Sequence, residues 1–386
     1  MKILILGCGL MAPAAAYNAA LSTNVKQILL TDEENEPLEA AQQYFAKTGV
    51  KSKISTALLD CTEKEETLEV MAEADIIIAA LPQRFTTEAI RAANHAGKPM
   101  VSMTIPPPAD MEILKKETAK AGNLVIVGCG VDPGLSEIMS RLLADRLDRV
   151  EAVHIKCGGI PEKPEPPLGY KVVFGGHELP LSLEDAAVVE NGRLRSVPRY
   201  SGVEEFEYPG VGTLEAYHEG FMPWLLELEP LKDLPNGTQK SVRWPGYAEK
   251  INILKEIGLL NRKPVEVNGV PVSPRQFLDA LLLPKIRLQE DERDLVVFHI
   301  EVSGERKGTL TICTMKTLVF PDEKKGLTAM ARITGYTTAS VARMIGRGEL
   351  AAQGLLTPEK VIAGVHLDRL VGDLTKEGIT FHFSEA

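Results

Sequence analysis

The chain has 386 residues, enough for two ordinary domains, and its 44% apolar and 25% charged residues are typical of a globular protein. Its net charge of -10 argues against a nucleic-acid partner, because neutralising phosphates requires a basic face. No stretch is long and apolar enough to predict a membrane helix, and the short apolar run before Gly7 does not predict a signal peptide. We therefore expect a cytoplasmic protein without nucleic-acid or membrane partners.

The cysteines show no pattern that predicts a metal site or a disulfide framework. None belongs to a Cys-x-x-Cys pair, and none lies in a Cys/His cluster with zinc-finger spacing. Their pattern is typical of small buried residues in a reducing compartment. The five are Cys8, Cys61, Cys129, Cys157 and Cys313.

The first 130 residues alternate strand and helix patterns, which predicts a Rossmann domain with a doubly wound parallel sheet. Some strand-like runs, such as residues 76–79, are continuously apolar, as parallel strands buried on both faces are. Helical patterns over residues 36–45 and 86–95 lie between strands. The predicted strands are residues 2–6, 27–31, 53–58, 75–79, 99–103 and 123–127.

A glycine-rich turn follows the first predicted strand and opens a helix predicted over residues 10–21; it reads Gly7-Cys8-Gly9-Leu10-Met11-Ala12. This is Gly-x-Gly-x-x-Ala, a variant of the dinucleotide-binding fingerprint. Gly7 permits the tight turn, Gly9 lets a diphosphate approach the backbone, and Ala12 allows close helix-strand packing. The N–H groups of the helix N-terminus, beside Leu10 and Met11, favour the diphosphate charge. The turn therefore predicts a dinucleotide site.

An acidic residue at the end of the second strand indicates which dinucleotide binds. Asp32 stands where a carboxylate accepts hydrogen bonds from the adenosine ribose hydroxyls. A carboxylate there repels a 2′-phosphate, and Glu33 and Glu34 add negative charge. We therefore expect NAD as the cofactor rather than NADP.

The ends of the third and fourth strands complete the predicted cofactor site, because open α/β sheets bind ligands at these ends. Asp60-Cys61 follows the third strand and is expected beside the adenine; Asp60 can alternatively cap the following helix. Ala80-Leu81-Pro82 follows the fourth strand and is expected beside the ribose on the nicotinamide side.

Residues 131–326 predict a mixed α+β domain for substrate binding and dimerisation, with strands at residues 153–156, 295–302 and 309–318. A helical pattern returns over residues 327–347 and ends at Gly346-Arg347-Gly348. Its apolar residues can share one face: Met330, Ile333, Val341, Met344 and Ile345. By analogy with two-domain dehydrogenases, we expect residues 327–386 to pack back on the first domain.

Motifs beyond residue 128 resemble the saccharopine dehydrogenase superfamily. Residues 128–136, Gly-Cys-Gly-Val-Asp-Pro-Gly-Leu-Ser, resemble its Gly-x-x-Pro-Gly segment. Five later segments have an order and spacing similar to those of the lysine 6-dehydrogenase branch. They are residues 158–170, 214–218, 242–250, 328–332 and 344–348.

This resemblance implies NAD-dependent oxidation at a C–N bond by a homodimer or larger homo-oligomer. In lysine 6-dehydrogenases the ε-carbon gives a hydride to NAD, and the imine hydrolyses to 2-aminoadipate 6-semialdehyde and ammonia. It also implies that Val131 lies beside the cofactor. Residues 102–108, Ser-Met-Thr-Ile-Pro-Pro-Pro, depart from the family, in which an Asp followed by Gly-rich sequence is common here. Because this loop is expected to face the nicotinamide, the substrate stays open.

Amine oxidation needs a base and, for an amino acid, a partner for the carboxylate. His218 is the first candidate base, since a neighbouring carboxylate can orient its ring, and Glu215 competes for the role. The candidates for substrate binding fall into two kinds. Arginines offer a planar fork to a carboxylate, and polar or aromatic residues border the site: Arg243, Arg332, Tyr170, Tyr217 and Asp132. Asp132 can alternatively cap a helix that begins at Pro133.

Three functions remain open at this point. The first is a lysine 6-dehydrogenase. The second is a saccharopine-type or carboxyalkyl-amine dehydrogenase, whose secondary-amine substrate carries more carboxylates and should need more than one arginine. The third is an NAD-binding protein without turnover.

Overall fold

The computed structural model describes residues 1–175, 179–289 and 291–386, which separate into two compact units. Unit 1 comprises Met1–Ile138 and Asp322–Thr380, and unit 2 comprises Met139–Pro321 and Phe381–Ala386. In the helices of these described ranges, we find no segment with both the length and the apolar character needed to cross a membrane.

Unit 1 is built on a seven-stranded parallel sheet with the order β17-β6-β5-β4-β1-β2-β3. Its strands are β1 (Lys2–Leu6), β2 (Gln27–Asp32), β3 (Ile54–Leu58), β4 (Ile76–Ala79), β5 (Met100–Ser102), β6 (Leu124–Ile126) and β17 (Gly354–Leu356). The strand order reverses at β1, which has β2 on one side and β4 on the other. Doubly wound sheets bind ligands at the carboxyl ends beside such a reversal.

The predicted doubly wound sheet is confirmed, and each of the six predicted strands agrees with an observed strand to within one residue at either end. The seventh, β17, was not predicted, because three residues carry too little periodicity to stand out. All four residues of β4 are buried, as expected for a strand covered on both faces. The helices of unit 1 are α1 (Ala12–Ala20), α2 (Asn35–Ala46), α3 (Lys64–Ala72), α4 (Gln83–Ala96), α5 (Met111–Ala121), α9 (Ala329–Gly346) and α10 (Val365–Lys376).

Helix α9 packs closely on α1 and is buried on all sides, from Ala329 to Ile345. The five apolar residues predicted to share a face are all buried, the polar residues between them are buried as well, and the predicted end near Gly346 is confirmed. A Cβ atom at Gly335 would lie 2.7 Å from the Ala15 backbone nitrogen, so the two helix backbones nearly touch. Several polar residues on α9 have partners; Arg343, for example, donates to the Asn18 side-chain oxygen at 2.6 Å. Small residues and satisfied hydrogen bonds thus allow complete burial.

Unit 2 contains a mixed sheet in which β12 and β7 are parallel and the other pairs are antiparallel. The main path runs β10-β11-β12-β7-β15-β16-β18, with β8 paired to β12 and β9 paired to β8. These strands are β7 (Arg149–Pro161), β8 (Ala186–Glu190), β9 (Arg193–Val197), β10 (Glu204–Tyr208), β11 (Gly212–His218), β12 (Asn236–Arg243), β15 (Asp294–Arg306), β16 (Thr309–Val319) and β18 (His382–Glu385). The predicted mixed α+β character is confirmed, and the three predicted strands lie inside β7, β15 and β16.

Two helices, α7 (Tyr247–Glu256) and α8 (Pro274–Ile286), share an apolar core with β11. A small hairpin of β13 (Val265–Val267) and β14 (Val270–Val272) separates them in sequence. A further helix, α6 (Leu135–Ala144), contains the boundary between the two units. Helices α7 and α8 therefore cover one face of the sheet of unit 2.

We expect Gly335→Ala to destabilise unit 1 by about 1–3 kcal/mol, because the added methyl group overpacks the contact between α1 and α9. Gly372→Ala is the matched control. It also lies within a helix, but its Cβ would meet no atom within 4 Å, so we expect stabilisation by about 0.5–1 kcal/mol. Urea unfolding of the two variants measures both values. Equal effects of the two substitutions would contradict the proposed close contact.

Candidate active site

The glycine-rich turn after β1 contains two glycines with different surroundings. Gly7 has a φ of +86°, and a Cβ there would lie 2.6 Å from the carbonyl oxygen of Ala80, so only glycine fits. A Cβ at Gly9 would meet no atom within 4 Å. The turn is therefore held against the end of β4 at Gly7 and open at Gly9, as the approach of a diphosphate requires. Leu10 is half exposed, and α1 begins after Met11, later than the predicted residue 10.

Asp32, at the end of β2, is bound to this turn. Its Oδ2 accepts a hydrogen bond from the Cys8 backbone N–H at 2.7 Å, and its Oδ1 accepts one from the Glu34 N–H at 3.0 Å. Each carboxylate oxygen keeps a further lone pair, which fits the ribose hydroxyls of a dinucleotide. Burial, and then Asp32, raise the pKa of the Cys8 thiol to about 12, so this cysteine stays protonated.

Asp60 and Cys61 lie in the loop after β3. Oδ1 of Asp60 accepts hydrogen bonds from the Thr62 N–H at 2.8 Å and the Thr62 hydroxyl at 2.7 Å, and these bonds lower the Asp60 pKa. The alternative in which Asp60 caps the helix was wrong, because α3 begins only at Lys64 and has no side-chain cap. Burial is the main cause that raises the pKa of the Cys61 thiol, and the charge of Asp60 is the second; together they raise it to about 11. Both side chains therefore shape the loop.

Hydrogen bonds join the end of β4 to β1 and to the loop that follows β5. The Ala80 N–H donates to the carbonyl of Leu6 at 2.8 Å, and the Thr104 hydroxyl donates to the carbonyl of Leu81 at 3.2 Å. Pro82 immediately precedes α4. Thr104, which the sequence did not single out, belongs to the loop that departs from the family pattern. That loop is therefore anchored to the strand end where the nicotinamide ribose was predicted.

The segment after β6 differs from one of its predictions. The predicted helix start at Pro133 was wrong, because α6 begins at Leu135; the Asp132 carboxylate accepts a hydrogen bond from the Ser136 hydroxyl in the first turn of this helix at 2.7 Å. Val131 is buried in the same segment. The roles predicted for Asp132 with substrate and Val131 with cofactor stay predictions.

Arg332 has a partner within unit 1. It lies on α9, is 6% exposed, and donates through Nη2 to the carbonyl oxygen of Glu377 at 2.5 Å. Glu377 directly follows α10, so the guanidinium satisfies a carbonyl at the C-terminal end of that helix. This contact holds the guanidinium at the end of α10, and the role of Arg332 in binding a substrate carboxylate stays a prediction.

Unit 2 contains a buried group that we call the arginine–tyrosine cluster: Arg243, Tyr170, Tyr200, Tyr217 and Tyr247. None of the five is more than 5% exposed. The guanidinium carbon of Arg243 lies 4.6 Å from the ring centre of Tyr170 and 5.5 Å from that of Tyr247. Tyr217 and Tyr247 stack with ring centres 5.9 Å apart. Three residues predicted for substrate binding, Tyr170, Tyr217 and Arg243, are thus brought together.

Arg243 is a buried cation without a carboxylate partner among the described residues. Its Nη1 donates to the carbonyl of Val242 at 2.7 Å, and its Nε has no hydrogen-bond partner. Burial disfavours the charged form, but Tyr217, the other tyrosines and Glu219 outweigh it and raise the Arg243 pKa. Burial also raises the pKa of all four tyrosines, so they are neutral phenols. A desolvated guanidinium of this kind fits a carboxylate of a ligand.

Glu215 fixes the helix that carries one ring of the cluster. It is 3% exposed, and its two oxygens accept hydrogen bonds from the N–H groups of Gly246 and Ala248, each at 2.6 Å. These donors begin α7, the helix that carries Tyr247, so Glu215 caps the helix and fixes the position of that ring. Both oxygens accept hydrogen bonds from the backbone, which favours capping over proton transfer, and the role of Glu215 as the base stays a prediction.

His218 lies on the opposite face of β11 from the cluster. Side chains alternate along a strand, and the register pairs Tyr217 with Ser241 but His218 with Lys240. The expectation that a neighbouring carboxylate orients His218 was wrong, because Glu215 caps α7 and Glu219 pairs with Arg199. Burial, and then Lys240, lower the His218 pKa, and its Nδ1 is buried without a partner. His218 and Arg243 therefore cannot act on one substrate from the same face.

Two members of the cluster, Tyr200 and Tyr247, were missed by the sequence analysis. Tyr247 lies in one of the segments that carried the resemblance, which was the available signal; Tyr200 offered none. All five cysteines are free thiols. In the part of the chain that the structure describes, no three His, Cys, Asp or Glu side chains are arranged to hold a metal ion.

Comparisons with known proteins agree over nearly the whole chain. Residues 3–126 match the family description "Saccharopine dehydrogenase NADP binding domain", and residues 130–379 match "Saccharopine dehydrogenase C-terminal domain". Mitochondrial alpha-aminoadipic semialdehyde synthase of Rattus norvegicus is 24% identical over 99% of this chain and 47% of its own length. The chain thus spans about half of that relative.

A second relative matches along its length. Saccharopine dehydrogenase [NADP(+), L-glutamate-forming] of Saccharomyces cerevisiae is 22% identical over 92% of this chain and 93% of the relative. A solved structure, apo saccharopine dehydrogenase (L-Glu forming) from the same organism, shares 20% identity and a TM-score of 0.81, and it covers 100% of this chain and 99% of that one. At this identity the structure shows the same fold. The resemblance to the superfamily is confirmed, whereas placement in the lysine 6-dehydrogenase branch stays a prediction. With both domain descriptions matched, the chain belongs to the saccharopine dehydrogenase family.

Proposed function

We propose that the chain is an NAD-dependent dehydrogenase that oxidises a C–N bond of an amino acid, with lysine as the favoured substrate. The observation that carries this proposal is Arg243, the buried guanidinium without a carboxylate partner in the described residues. A buried charge without a counter-ion is costly, so the arrangement favours a ligand that brings a carboxylate.

The acid at the end of β2 supports NAD over NADP. The carboxylate of Asp32 is fixed by two backbone N–H groups at the turn where the adenosine ribose is expected. A 2′-phosphate there would meet this carboxylate and the neighbouring Glu33 and Glu34. The yeast relative is named for NADP, so the preference of this chain for NAD rests on Asp32.

The partners of the other buried arginines support a substrate with one bound carboxylate. Arg275 pairs with Asp279 at 2.9 Å, Arg343 pairs with Asp373 at 3.1 Å, and Arg332 donates to a backbone carbonyl. Among the buried arginines of the described ranges, only Arg243 has neither a carboxylate partner nor a backbone carbonyl partner that is distant in the chain. Lysine has a single carboxylate, so this count favours it over a substrate with several.

The residues of the chain would act on the substrate in three ways. The planar fork of Arg243 would orient the carboxylate through two parallel hydrogen bonds. The neutral tyrosines around it exclude water and strengthen that pair. The amine must be neutral for its lone pair to assist hydride loss from the adjacent carbon, and its usual pKa of about 10.4 therefore favours alkaline conditions. The nicotinamide, when bound, supplies the hydride acceptor.

The second candidate is oxidation of a secondary amine of the saccharopine type. It is favoured by the yeast relative, whose name states that reaction and whose length this chain matches. NADH absorbance at alkaline pH, with lysine, ornithine, saccharopine and neutral amino acids, separates the candidates. NADH and ammonia from lysine would support the lead proposal, and a signal from saccharopine alone would support the second. NAD binding without turnover on the whole panel would contradict both.

Asp32→Ala should raise the NADP to NAD ratio of kcat/KM about tenfold or more, because removing the like charge relieves repulsion of about 1.4 kcal/mol. Glu65→Ala is the control, since it removes an exposed carboxylate that no prediction places beside the nucleotide. Initial rates with each nucleotide give the ratio. An unchanged ratio for Asp32→Ala would remove Asp32 from cofactor selection.

Arg243→Lys should raise KM for the amino acid about 10- to 100-fold, because one charge-assisted hydrogen bond of about 1.5–3 kcal/mol is lost. The Kd for NAD, measured by nucleotide fluorescence, should not change. Arg275→Lys is the matched control: it replaces a guanidinium that is equally buried but paired, so it should lower Tm and leave KM unchanged. Equal KM values for the two variants would contradict the assignment.

The geometry of β11 predicts different outcomes for the two candidate bases. His218→Ala should keep kcat within about twofold, since the ring lies on the opposite face from Arg243. Glu215→Gln should lower Tm, because a charged helix cap contributes about 1 kcal/mol. Thermal unfolding and initial rates measure both effects. A loss of turnover in His218→Ala with an unchanged Tm would restore the histidine as the base.

A further inference from the structure

A row of basic side chains crosses the face of the unit 2 sheet opposite the arginine–tyrosine cluster. Strand register places His218, Lys240, Lys156, His299 and Lys316 side by side on β11, β12, β7, β15 and β16. We call these five residues the basic row. Like charges directly opposite one another destabilise a sheet, and the chain as a whole carries a net charge of -10. The row therefore places like charges side by side, and its sign is opposite to that of the net charge of the chain.

One glutamate forms ion pairs with two lysines of the row. The Lys240 ammonium lies 2.7 Å from Glu204 Oε1, and the Lys156 ammonium lies 3.0 Å from Glu204 Oε2. The side chains of Lys240 and Lys156 are 10% and 16% exposed, whereas that of Glu204 is 42% exposed. A single accessible carboxylate thus bridges two nearly buried cations. Its two oxygens mark the positions that two anionic oxygens of a ligand would occupy.

The lysines border a cavity of about 340 Å³ on this face. Its wall includes His154, whose Nδ1 lies 2.8 Å from the Thr238 hydroxyl, and both groups offer polar contacts to a ligand. The wall also includes His299 and Glu301. Two lysines and two glutamates line the cavity, and Lys316 lies beside His299 on the same face, so this face of the sheet keeps a positive excess around the cavity. This volume and charge fit a small molecule with more than one negative charge.

Burial lowers the pKa of both histidines that line the cavity. Burial, and then Lys316 and Lys156, lower the His299 pKa to about 4. Burial is also the first cause of the lowered pKa of His154. Both rings are therefore neutral near pH 7, where a neutral imidazole can donate one hydrogen bond to an anion without adding charge.

We propose that the basic row binds a small dianion, a dicarboxylate or a phosphate, whose oxygens replace those of Glu204 on Lys156 and Lys240. This site lies on the opposite face of the sheet from Arg243, so it is separate from the proposed substrate site. Glu204 begins β10, which is the edge strand of the sheet, and Lys240 also donates to the Gly202 carbonyl just before it. The Glu204 side chain can therefore leave the two lysines while the backbone pairing of this edge strand stays intact.

The competition between Glu204 and a ligand makes the proposal testable. Glu204→Gln keeps the size and an acceptor oxygen but removes the charge that competes with an anion. Calorimetric titration of the full chain with inorganic phosphate and, separately, malonate should show binding at least about tenfold tighter than in the unsubstituted protein. The probe that binds more tightly identifies which source of the dianion the site favours. Lys240→Met should weaken binding about tenfold or more, whether introduced alone or into Glu204→Gln.

Lys232→Met is the matched control, because it removes a lysine that is exposed and outside the row, and it should leave the Kd unchanged. If Glu204→Gln does not fold, as judged by Tm, Lys156→Met alone still tests the site through the same loss of binding. Arg243→Lys should bind both probes normally, which separates this proposal from the proposed function. Equal binding by all lysine variants would indicate an adventitious ion only, and loss of binding in Arg243→Lys would place the anion in the cluster; either result would overturn the proposal.

Discussion

The alternation of side chains along β11 and β12 divides the polar residues of unit 2 between two faces. Successive residues of a strand point to opposite sides, so neighbours in sequence are separated in space. Glu215, Tyr217 and Arg243 lie on the face that shares a core with α7 and α8, whereas His218 and Lys240 lie on the other. The segment around Tyr217 therefore contributes to two chemically different surfaces. Both proposed sites depend on this division.

Buried charge distinguishes residues that stabilise the fold from residues that are available for ligands. Arg275 and Arg343 each have a carboxylate partner, and such pairs are common where a guanidinium is buried. Arg243 has aromatic faces around it instead, which compensate only part of the lost hydration. The lysines of the basic row are intermediate, because two of them share one carboxylate. In both places the missing negative charge indicates the class of ligand.

In unit 1 the nucleotide-binding turn depends on close approach between backbones. Gly7 lies against the end of β4, and Gly335 of α9 lies against α1, the helix that follows the turn. Each contact leaves no room for a side chain, so the chain uses glycine and alanine at these points. The turn is thus supported from its strand side and from its helix side. Only Gly9, which faces open space, remains available to a diphosphate.

The sequence by itself determined the fold class, six of the seven strands of unit 1 and the family, because periodicity, turn chemistry and motif spacing are local properties. It also identified Tyr170, Tyr217 and Arg243, although not that they meet; the homodimer and the cytoplasmic location stay predictions. Only the tertiary structure decided that Glu215 caps α7, that Arg332 binds the end of α10 and that His218 belongs to a basic row. These roles depend on strand register and on hydrogen-bond partners that are distant in the chain, and a single sequence does not encode such pairings in any local pattern.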